Sequence, residues 1–118
     1  MRDLHHFSDF YLHRDPVDMR KQINGLSLIV EQEMRADIFK MSLFIFTNKR
    51  RNTIKIIYWD KSGFALWIKR LEKERFKWPK NAEKEKVILT AQQLHWLLDG
   101  YDLSKMKPHQ ELKYKNVG

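Results

Sequence analysis

At 118 residues the chain fits one domain, and its 42% hydrophobic and 13% aromatic content can bury a core without covalent staples. The absence of cysteine excludes disulfides, thiolate zinc sites and a cysteine nucleophile, and no apolar run approaches the ~20 residues that span a bilayer. The formal charge of +8 is concentrated: residues 49–80 hold 11 Lys and Arg against 3 Asp and Glu, while both flanks are nearly neutral. Such a concentration attracts polyanions, of which nucleic acid is the commonest; a merely solvated basic face is the plain alternative. The opening MRDLHHFSDF has no apolar signal-peptide core, so a cytoplasmic protein is expected.

In chain order, FYLH (10–13) alternates weakly and reads as a short strand. A long helix is expected from DPVDMRKQINGLSLIVEQEM. Asp15 suits its N-cap, Pro16 the first helical position, and Asp18 the first turn, where a carboxylate favours the positive helix end. Met19, Ile23, Leu26, Val30 and Met34 recur at helical spacing, with Ile29 beside them. Gly25 inside this helix costs roughly 1 kcal/mol against Ala, and either a close backbone approach explains it or the helix tolerates it.

SLFIFTN (42–48) and TIKIIYW (53–59) read as two strands joined by the short polar NKRRN, a hairpin. In the second, Ile54, Ile56 and Tyr58 share one face while Lys55, Ile57 and Trp59 share the other. DKSG (60–63) is a turn by composition. FALWIKRL fits a helix or a strand; its aromatic and β-branched content and the tight preceding turn favour the strand. EKE then turns the chain into RFKW, which Pro79 ends. PKNAEKEK (79–86) is an exposed connector and VIL (87–89) a short strand. TAQQLHWLLDG carries Thr90 at an N-cap with Gln93 three residues on, an inward stripe of Leu94, Leu97 and Leu98, and Gly100 as a stop. The expected architecture is α+β: a small antiparallel meander packed with one longer and one shorter helix. It fills a single domain over residues 1–104, followed by a polar, mobile tail over 105–118.

The chemistry points away from catalysis. His5, His6 and His13 cluster near Asp3, Asp9 and Asp15, but two adjacent histidines near a free end make a poor metal scaffold and read as surface residues. Asp60 closes an apolar strand, a common place for a metal-binding carboxylate, yet an Asp that bonds its own backbone in a turn explains it as well. Glu72 and Glu74 read as solvated partners of Lys and Arg, and no Gly-rich phosphate loop or nucleophile elbow is present. No enzyme, cofactor or metal is expected. For nucleic acid the pattern is richer: Lys49, Arg50 and Arg51 occupy a hairpin tip, and Lys55, Lys69, Arg70, Arg75, Lys77 and Lys80 follow along the next strands and turns. Trp59, Trp67 and Trp78 interleave with them, and stacking on unpaired bases contributes ~1–3 kcal/mol each. Aromatics at strand spacing more often build core, which is the reading for Trp59 and Trp67. Trp78, beside Pro79 and flanked by two Lys, is kept as a candidate contact.

Three segments taken together carry a family resemblance: DPVDMRKQINGL, LFIFTNKRRNTIKIIYWDKSGFALWIKRLEKERFKWP and LTAQQLHWLLDGYD. In that order they resemble the second-open-reading-frame accessory proteins (TnpB) of the IS sixty-six family of bacterial insertion sequences, which are unrelated to the RNA-guided nuclease of the same name. The likeness runs from about Phe10 to Asp102. The family's DMRK signature falls on Asp18, Met19, Arg20 and Lys21, and its Gly-Leu pair on Gly25 and Leu26. The strand pattern falls on Ile54, Lys55, Ile56, Tyr58, Trp59 and Asp60. The KRLExxRFxWP pattern falls on Lys69, Arg70, Leu71, Glu72, Arg75, Phe76, Trp78 and Pro79. Leu97, Leu98, Asp99, Gly100 and Asp102 match LLDGxD. Gln22 and Asn24 depart from the family's usual Gly and Asp, and Glu74 stands where a turn Gly is usual. The resemblance implies a non-catalytic role in transposition beside a separate transposase, with DNA and the element's other proteins as partners, in the bacterial cytoplasm at the nucleoid. Within that context the basic 49–80 surface points to DNA contact, and the alternative is an adaptor that docks the transposase, for which DMRK and Trp96 are the candidate features.

Overall fold

The computed structural model describes residues 4–32, 41–79 and 86–106. Five strands, β1 (Asp9–His13), β2 (Ser42–Thr47), β3 (Thr53–Asp60), β4 (Gly63–Arg70) and β5 (Lys86–Leu89), form one sheet in the order β4-β3-β2-β1-β5. Two helices, α1 (Ile23–Gln32) and α2 (Ala91–Leu98), complete an α+β fold, with 3₁₀ turns at Leu4–His6 and Leu103–Lys105.

The expected meander is present as β2-β3-β4, including the strand over FALWIKRL. The sheet as a whole is mixed, however. β1 lies parallel to β2, Phe10 opposite Leu43 and Leu12 opposite Ile45, and β5 flanks β1 antiparallel. The reason lies in the connection: α1 carries the chain from the end of β1 back to the start of β2, and only such a crossover makes consecutive strands parallel.

All six residues of β2 are buried, because both faces of the sheet are covered. On one face Phe44, Phe46 and Ile57 pack against Leu26, Ile29 and Val30 of α1. On the other, Leu12, Leu43, Ile45, Ile54 and Ile56 pack against Leu94, Leu97 and Leu98 of α2, with Phe76 and Trp78 beside them. α2 forms as its sequence predicts. The Thr90 hydroxyl accepts from the Gln93 N–H at 3.1 Å while the Gln93 side chain accepts from the Thr90 N–H at 2.9 Å. At its end Gly100, with φ of 94°, supplies the left-handed turn: its N–H donates to the Leu97 carbonyl and that of Tyr101 to the Trp96 carbonyl.

The start of α1 differs from expectation. Asp15 is no cap and Pro16 is not helical; the helix begins at Ile23. Instead, the Val17 N–H donates to the Thr47 carbonyl at 2.8 Å, so this segment runs on beside the end of β2. Gly25 has a packing reason: a Cβ there would lie 3.3 Å from Lys21 Cβ and Cγ, so the chain before the helix folds closely over it. RFKW extends without a strand ladder, yet Phe76 and Trp78 are buried and Arg75 and Lys77 exposed, the alternation of an extended segment lying on the core. His13, expected at the surface, is 3% exposed, stacks at a tilt on Phe46, and donates from Nδ1 to the Asp15 carbonyl at 2.7 Å. Met34, Lys80, most of the 79–86 connector and all of the tail after Met106 lie outside the described residues.

Because all six residues of β2 are buried between the two layers, truncating it should be costly. Phe44→Ala, at a fully buried position, is expected to cost about 3–5 kcal/mol in urea unfolding. A loss under about 1 kcal/mol would show that this layer is not packed as described.

Candidate functional site

The polar NKRRN sequence is shaped by one side chain. Asn48 Oδ1 accepts from the N–H groups of Asn52 and Thr53, and Asn48 Nδ2 donates to Asn52 Oδ1 at 2.7 Å. The Arg51 N–H closes the turn onto the Asn48 carbonyl at 3.0 Å. Two further backbone bonds tie this tip to the distant extended segment: Leu71 N–H to the Asn52 carbonyl at 2.8 Å and Phe76 N–H to the Arg51 carbonyl at 2.7 Å. Cations separated by more than twenty residues in sequence are thereby brought to one end of the molecule.

Lys49, Arg50, Arg51, Arg75 and Lys77 all line one open groove of about 1130 Å³. Buried Phe76, Trp78 and Leu89 lie under it, and Val87, Ile88 and Leu103 add to its apolar lining. Among the described residues, Asp102 is the acidic one in that lining. Its carboxylate is held below the usual carboxylate range chiefly by the Ser104 hydroxyl and N–H, with lesser help from Lys105 and Lys77, so it is ionised at neutral pH.

Of the remaining expected contacts, Trp78 lies under this groove with its ring buried and the others lie away from it; Lys55 and Trp78 are corrections. Lys55 is 4% exposed and lies on the α1 face of the sheet; its Nζ donates to the carbonyls of Met19 at 2.7 Å and Lys21 at 2.9 Å. Burial pushes its ammonium below the ordinary lysine range, and the Asp18 carboxylate opposes that shift. Trp78 is likewise 4% exposed, and its indole N–H donates to the carbonyls of His13 and Arg14, so its ring is not available for stacking on a base. Lys69 is half-buried and donates to the Leu98 carbonyl at 2.9 Å, which serves the exposed end of α2. Arg70 is exposed and paired at 3.3 Å with Glu72. Trp59 and Trp67 are half-buried, Trp59 edge-on to Phe64 at 4.9 Å and Trp67 against the α2-side core. Asp60 ends β3 at the β3–β4 turn.

The DMRK motif is thus a turn built around a buried lysine. Asp18 Oδ1 accepts from the Arg20 N–H at 2.9 Å, its carboxylate pairs with the Arg20 guanidinium at 2.7 Å, and the Lys21 N–H donates to the Asp18 carbonyl. The Met19 and Lys21 carbonyls point to Lys55 Nζ. No periodicity marks such a site; the one available sign was a lone Lys in an otherwise apolar strand. Tyr58 lies on the opposite face, edge-on to Phe7 at 5.2 Å.

The Arg20 hydrogen bonds lower the Asp18 pKa from 3.8 to about 2. Because the folded value lies below the unfolded one, this turn supports the fold above about pH 4, and the support is lost as pH falls through about 2. The Asp18 carboxyl carbon should titrate by NMR with a midpoint near 2, and Arg20→Ala should return it toward 3.8. A wild-type midpoint near 3.8 would mean the turn does not form in solution.

The sequence matches the family described as IS66 Orf2 like protein over residues 8–108. Among curated proteins it is 34% identical over 85 residues to the uncharacterized protein y4hO of Sinorhizobium fredii, covering 72% of this chain and 73% of that one. It is 33% identical over 92 residues to the uncharacterized protein y4jC of the same organism, covering 78% of each. No solved structure matches the chain significantly. The family match spans all five strands and both helices, and on that ground the chain belongs to the IS66 Orf2-like family.

Proposed function

We propose that this protein, a transposition-associated accessory protein by family, contributes to transposition by binding DNA through the groove between the β2–β3 tip and the 75–79 segment. The observation that carries this reading is the convergence of Lys49, Arg50, Arg51, Arg75 and Lys77 on one groove against, among the described residues, the single carboxylate of Asp102. Long cations on a rigid rim neutralise phosphates and release counterions, which gives strong but weakly sequence-selective binding. Lys55 and Trp78 take no part, and Lys69 serves α2 instead. Lys80, outside the described residues, remains a candidate by its position next to Pro79.

A protein-docking role is the second reading. Among the described residues strand β5 is an edge of the sheet, and its Ile88 is 64% exposed beside the same groove, where an added strand from the transposase would find a strand edge and an apolar contact. Trp96, half-buried on α2, is a weaker feature for that role than Ile88.

The two readings separate by salt. For DNA, log affinity should fall linearly with log salt concentration at about −0.9 per phosphate neutralised, and the Lys49/Arg50/Arg51→Ala variant should flatten that slope by roughly 2–3. Absence of binding to duplex and single strands in low-salt gel shifts refutes the DNA reading. Pull-down of the transposase that survives nuclease and high salt favours docking.

A further inference from the structure

Arg51 differs from the other groove cations in two respects. Its backbone is left-handed, with φ of 60°, a conformation that favours Gly or Asn and costs an L side chain roughly 1 kcal/mol or more. The turn holds it there regardless, through the Asn48 side chain, the Arg51 N–H to Asn48 carbonyl bond and the Phe76 N–H on the Arg51 carbonyl. Its guanidinium Nη1 is also shielded from solvent and, among the described residues, finds no hydrogen-bond acceptor. A charged donor left unmet in this way is unfavourable in the free protein; because Arg51 as a whole is only partly buried and lines the groove, a side-chain rotation would bring the guanidinium onto an oxyanion held there. Lys61, among the described residues the other non-glycine with positive φ, shows that a strained turn alone marks nothing: it is exposed and lies outside the groove.

We infer that Arg51 is the phosphate anchor of this groove: its guanidinium grips one backbone phosphate of the bound nucleic acid, while Arg75 and Lys77 across the groove and Lys49 and Arg50 at the tip neutralise its neighbours. The inference rests on the DNA reading above and sharpens it, since five cations of equal charge would otherwise contribute alike. The planar fork offers two parallel N–H groups to phosphate oxygens, which an ammonium cannot do. Asp15, whose carboxylate is held low mainly by Arg14 and only weakly by Arg51, does not supply the missing acceptor.

The test compares the full chain with Arg51→Gly, Arg51→Lys and Arg50→Ala, by fluorescence anisotropy on a labelled DNA duplex and its single strand, with thermal melts alongside. Glycine relieves the left-handed turn, so Arg51→Gly should melt at or above the wild-type temperature yet bind at least ~10-fold more weakly. Arg50→Ala should lose only ~2–3-fold, and Arg51→Lys, which keeps the charge but not the fork, should lose at least ~5-fold. Inorganic phosphate should compete only at concentrations far above those of the oligonucleotide; competition at equal concentration would make the site one for free phosphate and overturn the assignment. If Arg51→Gly binds as wild type while the triple tip variant loses affinity, the anchor is wrong and the DNA reading stands. If Arg51→Gly melts well below wild type, the strained-anchor argument fails. If the wild type binds neither duplex nor single strand, both fall.

Discussion

The fold depends on the burial of β2 on both faces. A strand whose six residues are all removed from water needs a cover above and below the sheet, and neither helix alone can supply both. α1 covers one side because it bridges β1 and β2, and that bridge obliges the two strands to run parallel at the centre of the sheet. The other side takes α2 and the extended 75–78 segment. The antiparallel hairpins then project outward from this parallel centre, which is what carries the basic tip to the margin of the molecule.

Much of this was legible in the sequence, and the misreadings have physical causes. The hairpins of β2, β3 and β4, the capping box of Thr90 and Gln93 and the stop at Gly100 depend on local rules, and local rules find them. The parallel pairing of β1 was harder, because its four-residue motif looks the same in either orientation; the uninterrupted apolar run SLFIF was the sign of two-sided burial. The helix start was misplaced because Asp15, Pro16 and Asp18 satisfy helix-initiation preferences, whereas a tertiary contact, the Lys55 ammonium on the Met19 and Lys21 carbonyls, holds that stretch in a turn. Side chains with two plausible uses were read least well. Lys55 and Trp78 carry a polar tip on a large apolar body, and in both cases the tip found backbone carbonyls inside the molecule. Conversely, nothing in NKRRN distinguishes Arg51 from Arg50; the difference arises from a backbone angle and a neighbouring chain segment.

Family membership and the groove bear on function at different levels. The family sets the process, insertion-sequence transposition, and leaves the physical act open. Among the described residues the groove brings five cations together over an apolar base, which is what the proposed binding of an anion draws on. The DMRK signature, which looks like an exposed basic motif, owes much of its pattern to construction: Asp18 shapes the turn and Met19 and Lys21 lend backbone carbonyls, while the side chains of Arg20 and Lys21 are exposed. A signature built this way preserves a shape around a buried charge and need not itself touch a ligand.

The two backbone bonds that join the β2–β3 tip to Leu71 and Phe76 have a thermodynamic consequence. Loops that present cations to a polyelectrolyte commonly lose conformational entropy when they engage it, and the loss opposes association. Here the tip and the facing segment are already fastened to each other, so that ordering is completed when the chain folds. On the proposed DNA reading, recognition would then resemble the meeting of a fixed charged template with a flexible strand, with most of the adaptation left to the strand.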